Sequence, residues 1–259
     1  MERPVSQSLE RGLTVLTALA AGQQTLDQLA KRLGVHKSTA MRLLRTLEAG
    51  RFVRREDVHH YRLGSALFDL AHQALEDLDV RGVARQYLVA LGEISGHTVH
   101  LATLEDNQVV YIDKVDSQHP VRMYSRIGRR APVHCTAVGK VLVAYWPTQQ
   151  RRRFAEQLNY PKLTTNTIDS AERFLAELDR VRAQGYAVDR GEHENFIHCV
   201  GAPIRNHRGE VVAALSLSVP KVLLDFDGLL GLADDVRRAA DGVSAELGWQ
   251  PENPRAKEV

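Results

Sequence analysis

Lys37, Ser38, Thr39, Met41, Arg42 and Arg45 recur at intervals that place side chains on one face of an α-helix. A face carrying ammonium and guanidinium groups beside hydroxyls can neutralise phosphates and hydrogen-bond base edges in the major groove of a duplex. Arg54 and Arg55 follow in a segment that alternates apolar and basic residues. A second reactive set, His134, Cys135, His193, His198 and Cys199, lies far down the chain. Thiol and imidazole serve enzymes as nucleophile, base and metal ligand, so this set opens an alternative reading as an enzyme or a metal-dependent sensor. Its spacing is poor for either. His134 adjoins Cys135 and His198 adjoins Cys199, neighbours that point opposite ways on an extended segment, and no C-x-x-C or H-x-x-x-H pair occurs. The expectation is therefore a binding protein with no catalytic residue, cofactor or bound metal.

The cationic face needs a scaffold. Thr25 with Gln28 forms a capping-box pair, which predicts a helix that starts at Leu26 and buries Leu26, Leu29, Ala30 and Leu33. Gly34 ends it, since the left-handed conformation of a helix C-terminus is cheap only for glycine. The cationic helix runs from Lys37 to Ala49, turns Ala40, Leu43, Leu44 and Leu47 inward, and closes at Gly50. RFVRREDVHHYRLG then alternates Phe52, Val53, Tyr61 and Leu63 against Arg51, Arg54, Arg55 and Arg62 around Glu56 and Asp57, a hairpin pattern. Upstream, Ser8 to Ala21 carries Leu9, Leu13, Leu16 and Leu19 near helical spacing, a further helix packed across the other two. Helix, turn, helix and basic hairpin in that order describe a winged helix-turn-helix over residues 1–63, with double-stranded DNA as its partner. Charge divides the chain in the same way. Up to Leu63 there are 11 Lys and Arg against 6 Asp and Glu, a net of +5, whereas the remainder carries 23 against 26, a net of −3. A basic head on an acidic body fits a DNA reader joined to a second domain.

Ser65 to Asp79 reads as an amphipathic linker helix, residues 64–79. From residue 80 to 250 the pattern is helix, three strands (HTVHLATL, QVVYIDKV, VRMYSR), helices, three strands (YAVDRG, IHCVGAPI, VVAALSLSV) and a last helix over 225–247. That is an α+β domain with a mainly antiparallel sheet. Residues 251–259 read as a flexible tail. Within the body, Thr136 can cap a helix beginning at Ala137, leaving first-turn amides free to meet an anion. Gly139 inside that helix costs about 1 kcal/mol relative to alanine, so something must approach its backbone closely, either a ligand or the packed sheet. Ser216 and Ser218 alternate with Leu215 and Leu217, which puts two hydroxyls on one side of a strand. Asp113, Lys114 and Asp116 read as surface pairs, and Arg151 to Arg153 as a solvated face. The absence of an apolar signal core and of a membrane-spanning run, with two cysteines in 259 residues, places the chain in the cytoplasm with no membrane partner.

LDQLAKRLGVHKSTAMRLLRTLEAGRFVRR, VVYIDKVDS, RMYSRIGRRAPVHCTAVGKVLVA, the run from DRGEHE to HCVGAP, and GEVVAALSLSVP resemble successive blocks of the IclR family of bacterial transcription regulators. The resemblance spans residues 6 to about 248 and is nearest to the KdgR branch, repressors that answer to 2-keto-3-deoxygluconate. It implies a winged helix-turn-helix followed by a GAF-like effector domain, a homodimer or homotetramer on a DNA operator, and a small organic acid effector between the sheet and the start of the TAVGK helix. The positions it marks are Ala137, Val138 and Gly139 for backbone contacts, Asp189, Cys199, Ser216 and Ser218 for polar contacts, and Met123, Ala131 and Ile197 for apolar walls. Two positions depart from the family pattern: Phe196 where relatives carry glycine, and His198 where KdgR-like sequences carry arginine.

Overall fold

The capping box forms as the spacing requires: the Gln28 amide donates to Thr25 Oγ1 at 3.3 Å and the Thr25 amide to Gln28 Oε1 at 2.7 Å. A computed structural model describes residues 6–70, 79–121 and 125–250. The chain divides into two compact units, residues 1–78 and 79–259.

The first unit contains α1 (Gln7–Ala20), β1 (Gln24–Thr25), α2 (Leu26–Leu33), α3 (Lys37–Ala49), β2 (Val53–Arg55) and β3 (His60–Leu63). Gly34 adopts φ 62° after α2. After α3 the left-handed step falls on Arg51, φ 59°, and not on Gly50. Gly64 is needed beside it, because a Cβ there would stand 2.1 Å from the Arg51 carbonyl oxygen. The strands form a small antiparallel sheet in the order β1-β3-β2, with Val53 opposite Leu63 and Arg55 opposite Tyr61. Val15, Ala18, Leu19, Leu29, Leu44, Val53 and Tyr61 make the core. The leucine stripe expected of α1 is therefore corrected in part. Leu19 is buried, but Leu9 and Leu13 stand in solvent and the helix rotates Val15 and Ala18 inward instead.

The second unit is built on one six-stranded sheet, every pair antiparallel, in the order β6-β5-β4-β9-β8-β7. Its strands are β4 (Thr98–Glu105), β5 (Gln108–Val115), β6 (Arg130–Ala131), β7 (Ala187–Arg190), β8 (Ile197–Arg205) and β9 (Val211–Pro220). Helix α4 (Val80–Ser95) lies against the Val99 face, where the lack of a side chain on Gly92 admits Val115 and Val99. Helix α5 (Ala137–Ala144) covers the opposite face, with Gly201 close against Ala137. Helices α6 (Thr148–Gln157) and α7 (Ala171–Gln184) extend that layer, and α8 (Phe226–Gly231) and α9 (Ala233–Glu246) complete the unit.

Several expectations shift here. The last helix breaks at Leu232 into α8 and α9. The strand expected over VRMYSR falls partly on residues 122–124, outside the described residues; its described flanks are not strand, and the short partner of β5 is Arg130–Ala131. Residues 66–70 are helical, and the rest of the expected linker helix up to 78 lies outside the described residues, as does the tail 251–259. Asp113 is buried, facing Arg81 and Arg85 of α4, and Arg151 is buried against Asp179, so neither belongs to a solvated surface. Among the described residues no helix is long and apolar enough to cross a membrane.

Candidate functional site

On α3, Lys37, Ser38, Arg42 and Arg45 are exposed and Thr39 is half-buried. His36 caps the helix: its Nδ1 accepts the Ser38 amide at 3.3 Å and lies 2.9 Å from Ser38 Oγ. Lys37 pairs with Asp27 of α2 at 2.8 Å. Met41 is half-buried like Thr39, and its Sδ receives the Tyr61 hydroxyl at 3.8 Å. In the wing, the cross-strand neighbours Arg54 and Arg62 both approach Glu56. Arg55 donates from Nε to the Asp57 carbonyl at 3.0 Å and from Nη2 to that of Val58. The Asp57 carboxylate takes the amides of His59 and His60 and the His60 ring, which hold its pKa down to about 2. The wing tip is thus fixed by its own charges, and Arg54 and Arg55 remain exposed at its base.

In the second unit a cavity opens where α5 begins over the sheet. Seven of the residues the sequence marks converge on it: Ala137, Val138, Asp189, Ile197, Cys199, Ser216 and Ser218. Strand pairing brings them together, since Cys199 lies opposite Ser218 and Gly201 opposite Ser216. Thr136 accepts the Gly139 amide at 3.2 Å, leaving the first-turn amides of Ala137 and Val138 without intrahelical acceptors. A hydrogen-bonded chain crosses the floor, from Cys199 Sγ to Ser218 Oγ (3.2 Å), to His100 Nδ1 (3.3 Å), and from His100 Nε2 to Ser125 Oγ (2.7 Å). Burial keeps His100 neutral, with its pKa lowered to about 3. Burial also raises Asp189 to about 7, against the pull of the Glu192 amide, which reaches its Oδ1 at 2.6 Å. Behind the cavity the fully buried Lys140 donates to Glu192 at 2.6 Å and to the Val188 carbonyl at 2.8 Å, with Glu177 at 3.6 Å. Thr164, Asn166 and Thr167 bond the carbonyls of residues 190–192 from the other side. The turn that brings His193 and Glu194 to the cavity is thereby held from two directions.

Residues 8–57 match the IclR helix-turn-helix domain, and residues 72–245 match the C-terminal domain of the bacterial transcriptional regulator IclR. The chain belongs to the IclR family of bacterial transcriptional regulators. Its relatives in that family include the HTH-type transcriptional regulator XynR of Escherichia coli K12, 35% identical over 249 residues, 95% of this chain and 99% of that protein. KdgR of the same organism is 35% identical over 237 residues, 91% of this chain and 90% of that one. The crystal structure of the Agobacterium tumefaciens repressor BlcR superposes with a TM-score of 0.84 at 27% identity, covering 94% of this chain and 98% of that one.

Of the three remaining positions that the IclR pattern marks, two do not line the cavity. Met123 lies outside the described residues. Ala131 pairs with Val109 on β6 and lines a separate cleft beside His134 and Phe154. Gly139 is a correction: a Cβ there would meet the Val133 carbonyl at 2.5 Å and its own cap Oγ1 at 2.6 Å, so close packing accounts for the glycine. The two departures from the IclR pattern also stay clear of the cavity. Phe196 projects into solvent, and His198 faces the other side of β8, where its ring meets Phe226 at 5.3 Å. Tyr111, Thr136, His193 and Glu194 line the cavity without having been singled out for it. Of the Cys and His residues that opened an enzymatic reading, His193 and Cys199 line the cavity, whereas His198 faces the other side of β8. Both thiols are buried, and burial pushes their pKa values up, away from the nucleophilic thiolate. Among the described residues no three His, Cys, Asp or Glu side chains gather as a metal site.

Proposed function

We propose that this regulator is a repressor, that it grips its operator as a homodimer or homotetramer through α3 and the wing, and that a small carboxylate effector in the second unit tunes the grip. In this reading residues 1–63 bind DNA, 64–79 link, and 80–250 sense, and the protein works in the cytoplasm. Lys37, Ser38, Arg42 and Arg45 face the groove, with Arg54 and Arg55 on the backbone. The observation that carries the effector half is the convergence of two helix-start amides, two serine hydroxyls, Asp189 and Cys199 on one cavity. The resemblance to the KdgR branch, with 35% identity to KdgR of Escherichia coli, makes 2-keto-3-deoxygluconate the leading candidate.

The cavity has a volume of only about 10 Å³, room for roughly one water. Small-molecule sites usually offer about 300–1,000 Å³, so a sugar acid enters only as the walls move outward. A ligand that prefers the opened arrangement shifts the population toward it, by as much as its affinity for the two arrangements differs. Thermal-shift measurements with keto-deoxy sugar acids, glyoxylate, pyruvate and aromatic acids test this reading, because a ligand that binds the folded state stabilises it by mass action. One class of acid is expected to raise the melting temperature and change operator affinity. The double variant S216A/S218A is expected to lose both responses while remaining folded; a retained response removes the cavity from the reading.

A further inference from the structure

The effector cavity is acidic where an acidic ligand must sit. Among the described residues its lining includes the carboxyl groups of Asp189 and Glu194 and no lysine or arginine. Glu194 has Arg129 at 3.6 Å and the His193 ring at 4.0 Å. Asp189 has no such partner among the described residues. The nearby cation on α5, Lys140, spends its ammonium group on Glu192, Glu177 and the Val188 carbonyl. What Asp189 receives is the amide of Glu192, at 2.6 Å, and that of His193. The other titratable groups facing it are Glu192 and His193 on its own turn, Lys140 on α5, Cys135 just ahead of α5, Cys199 on β8 and Tyr111 on β5. Burial lowers the pKa of His193 and raises those of Cys199 and Tyr111, so all three are neutral near pH 7.

A carboxylate ligand brought beside an ionised, buried Asp189 would place two like charges in a water-poor site, and such a pair holds one shared proton. Resting on the effector reading above, we propose that Asp189 meets an acidic effector as a carboxylic acid and donates its proton to the ligand, so that binding above neutral pH takes up one proton from solvent. The burial that raises Asp189 to about 7 supplies the acid form at little cost near neutrality. Asp189 is then a specificity-determining residue. It favours ligands with an acceptor-only carboxylate at that position, and affinity falls about tenfold per pH unit above roughly 7.

Two measurements test this. The first needs no ligand: in ¹³C-aspartate-labelled full-length protein, the carboxyl resonance absent from D189N is expected to titrate near neutral pH, and titration below about pH 5 overturns the proposal. The second is calorimetric titration with glyoxylate, pyruvate and 2-keto-3-deoxygluconate at about pH 6 and pH 8, each in two buffers of different ionisation enthalpy. Uptake near zero at the lower pH and near one proton at the higher is expected in the wild type. D189N, which keeps an N–H donor, is expected to show no uptake and a flat pH profile. Binding without proton uptake at the higher pH, in the presence of a normal acid titration, overturns this proposal alone. No binding by any of these acids at either pH overturns the effector reading together with it.

Discussion

Arg42 and Arg45 stand in solvent on α3 while Met41, just before Arg42 in sequence, meets the Tyr61 hydroxyl of the wing. The two arginines should therefore carry base or phosphate contacts. R42A and R45A are each expected to weaken operator binding by about 1–3 kcal/mol in gel-shift titrations if they read base edges, while M41A acts on stability. G139A separates two uses of a helical glycine. Helix propensity alone favours alanine by about 1 kcal/mol, yet the added methyl meets the Val133 carbonyl and Thr136 Oγ1. The variant is expected to lower the denaturant midpoint, and a raised midpoint would mean that space beside Gly139 is open. Asp189 also leaves a mark on stability. Its folded value near 7 lies above the ordinary value of 3.8, so the folded chain holds a proton that the unfolded chain releases. That group then lowers stability as pH rises from about 4 to about 7 and changes nothing further above. The stability of D189N relative to wild type is expected to grow across that window in urea unfolding series, and a difference flat from pH 4 to 7 would contradict the assignment.

Local signals made the first unit legible as elements. The Thr25–Gln28 box, the Gly34 turn and the Arg-rich hairpin are all short-range patterns, and each forms where the spacing places it. Which face of α1 is buried was less legible, because Val15 and Ala18 compete with a leucine stripe of similar spacing. In the second unit the strands and the Thr136 cap could be read, and so could the two serines on one face of β9. His100 and Tyr111 could not, since their place beside Ser218 and Cys199 comes from the non-local pairing of β4 with β5 and β9. The burial of Asp113 and Arg151 depends on partners some 30 residues away, Arg85 and Asp179, and has no local signature. The Lys140–Glu192 pair is of the same kind and ties α5 to the turn after β7. Removing one partner of a buried pair strands the other charge, at a cost of about 3–5 kcal/mol. K140M is expected to lose stability on that scale and to speed amide exchange over residues 191–196; unchanged exchange there would show that the threonine contacts from residues 164 and 167 hold the turn without it.

The molecule joins a basic head, net +5 up to Leu63, to a remainder of net −3, and the chain belongs to a family of bacterial transcriptional regulators. A cationic α3 face, a basic wing and a cavity lined with hydroxyls, amides and a buried acid give each unit the chemistry that its part of that task requires. The central claim is that the exposed cations of α3 and the wing hold duplex DNA, since phosphate neutralisation is what such a surface can supply most strongly. The most direct test is the affinity of the purified full-length chain for genomic duplex fragments measured across salt concentration. The expected result is selective retention of a small set of fragments. Their log affinity should fall linearly with log salt at roughly 0.9 per phosphate contact, and the slope should decrease by about one unit in R54A or R55A. Affinity that is absent, or indifferent to salt with and without the acids of the thermal-shift panel, would contradict it.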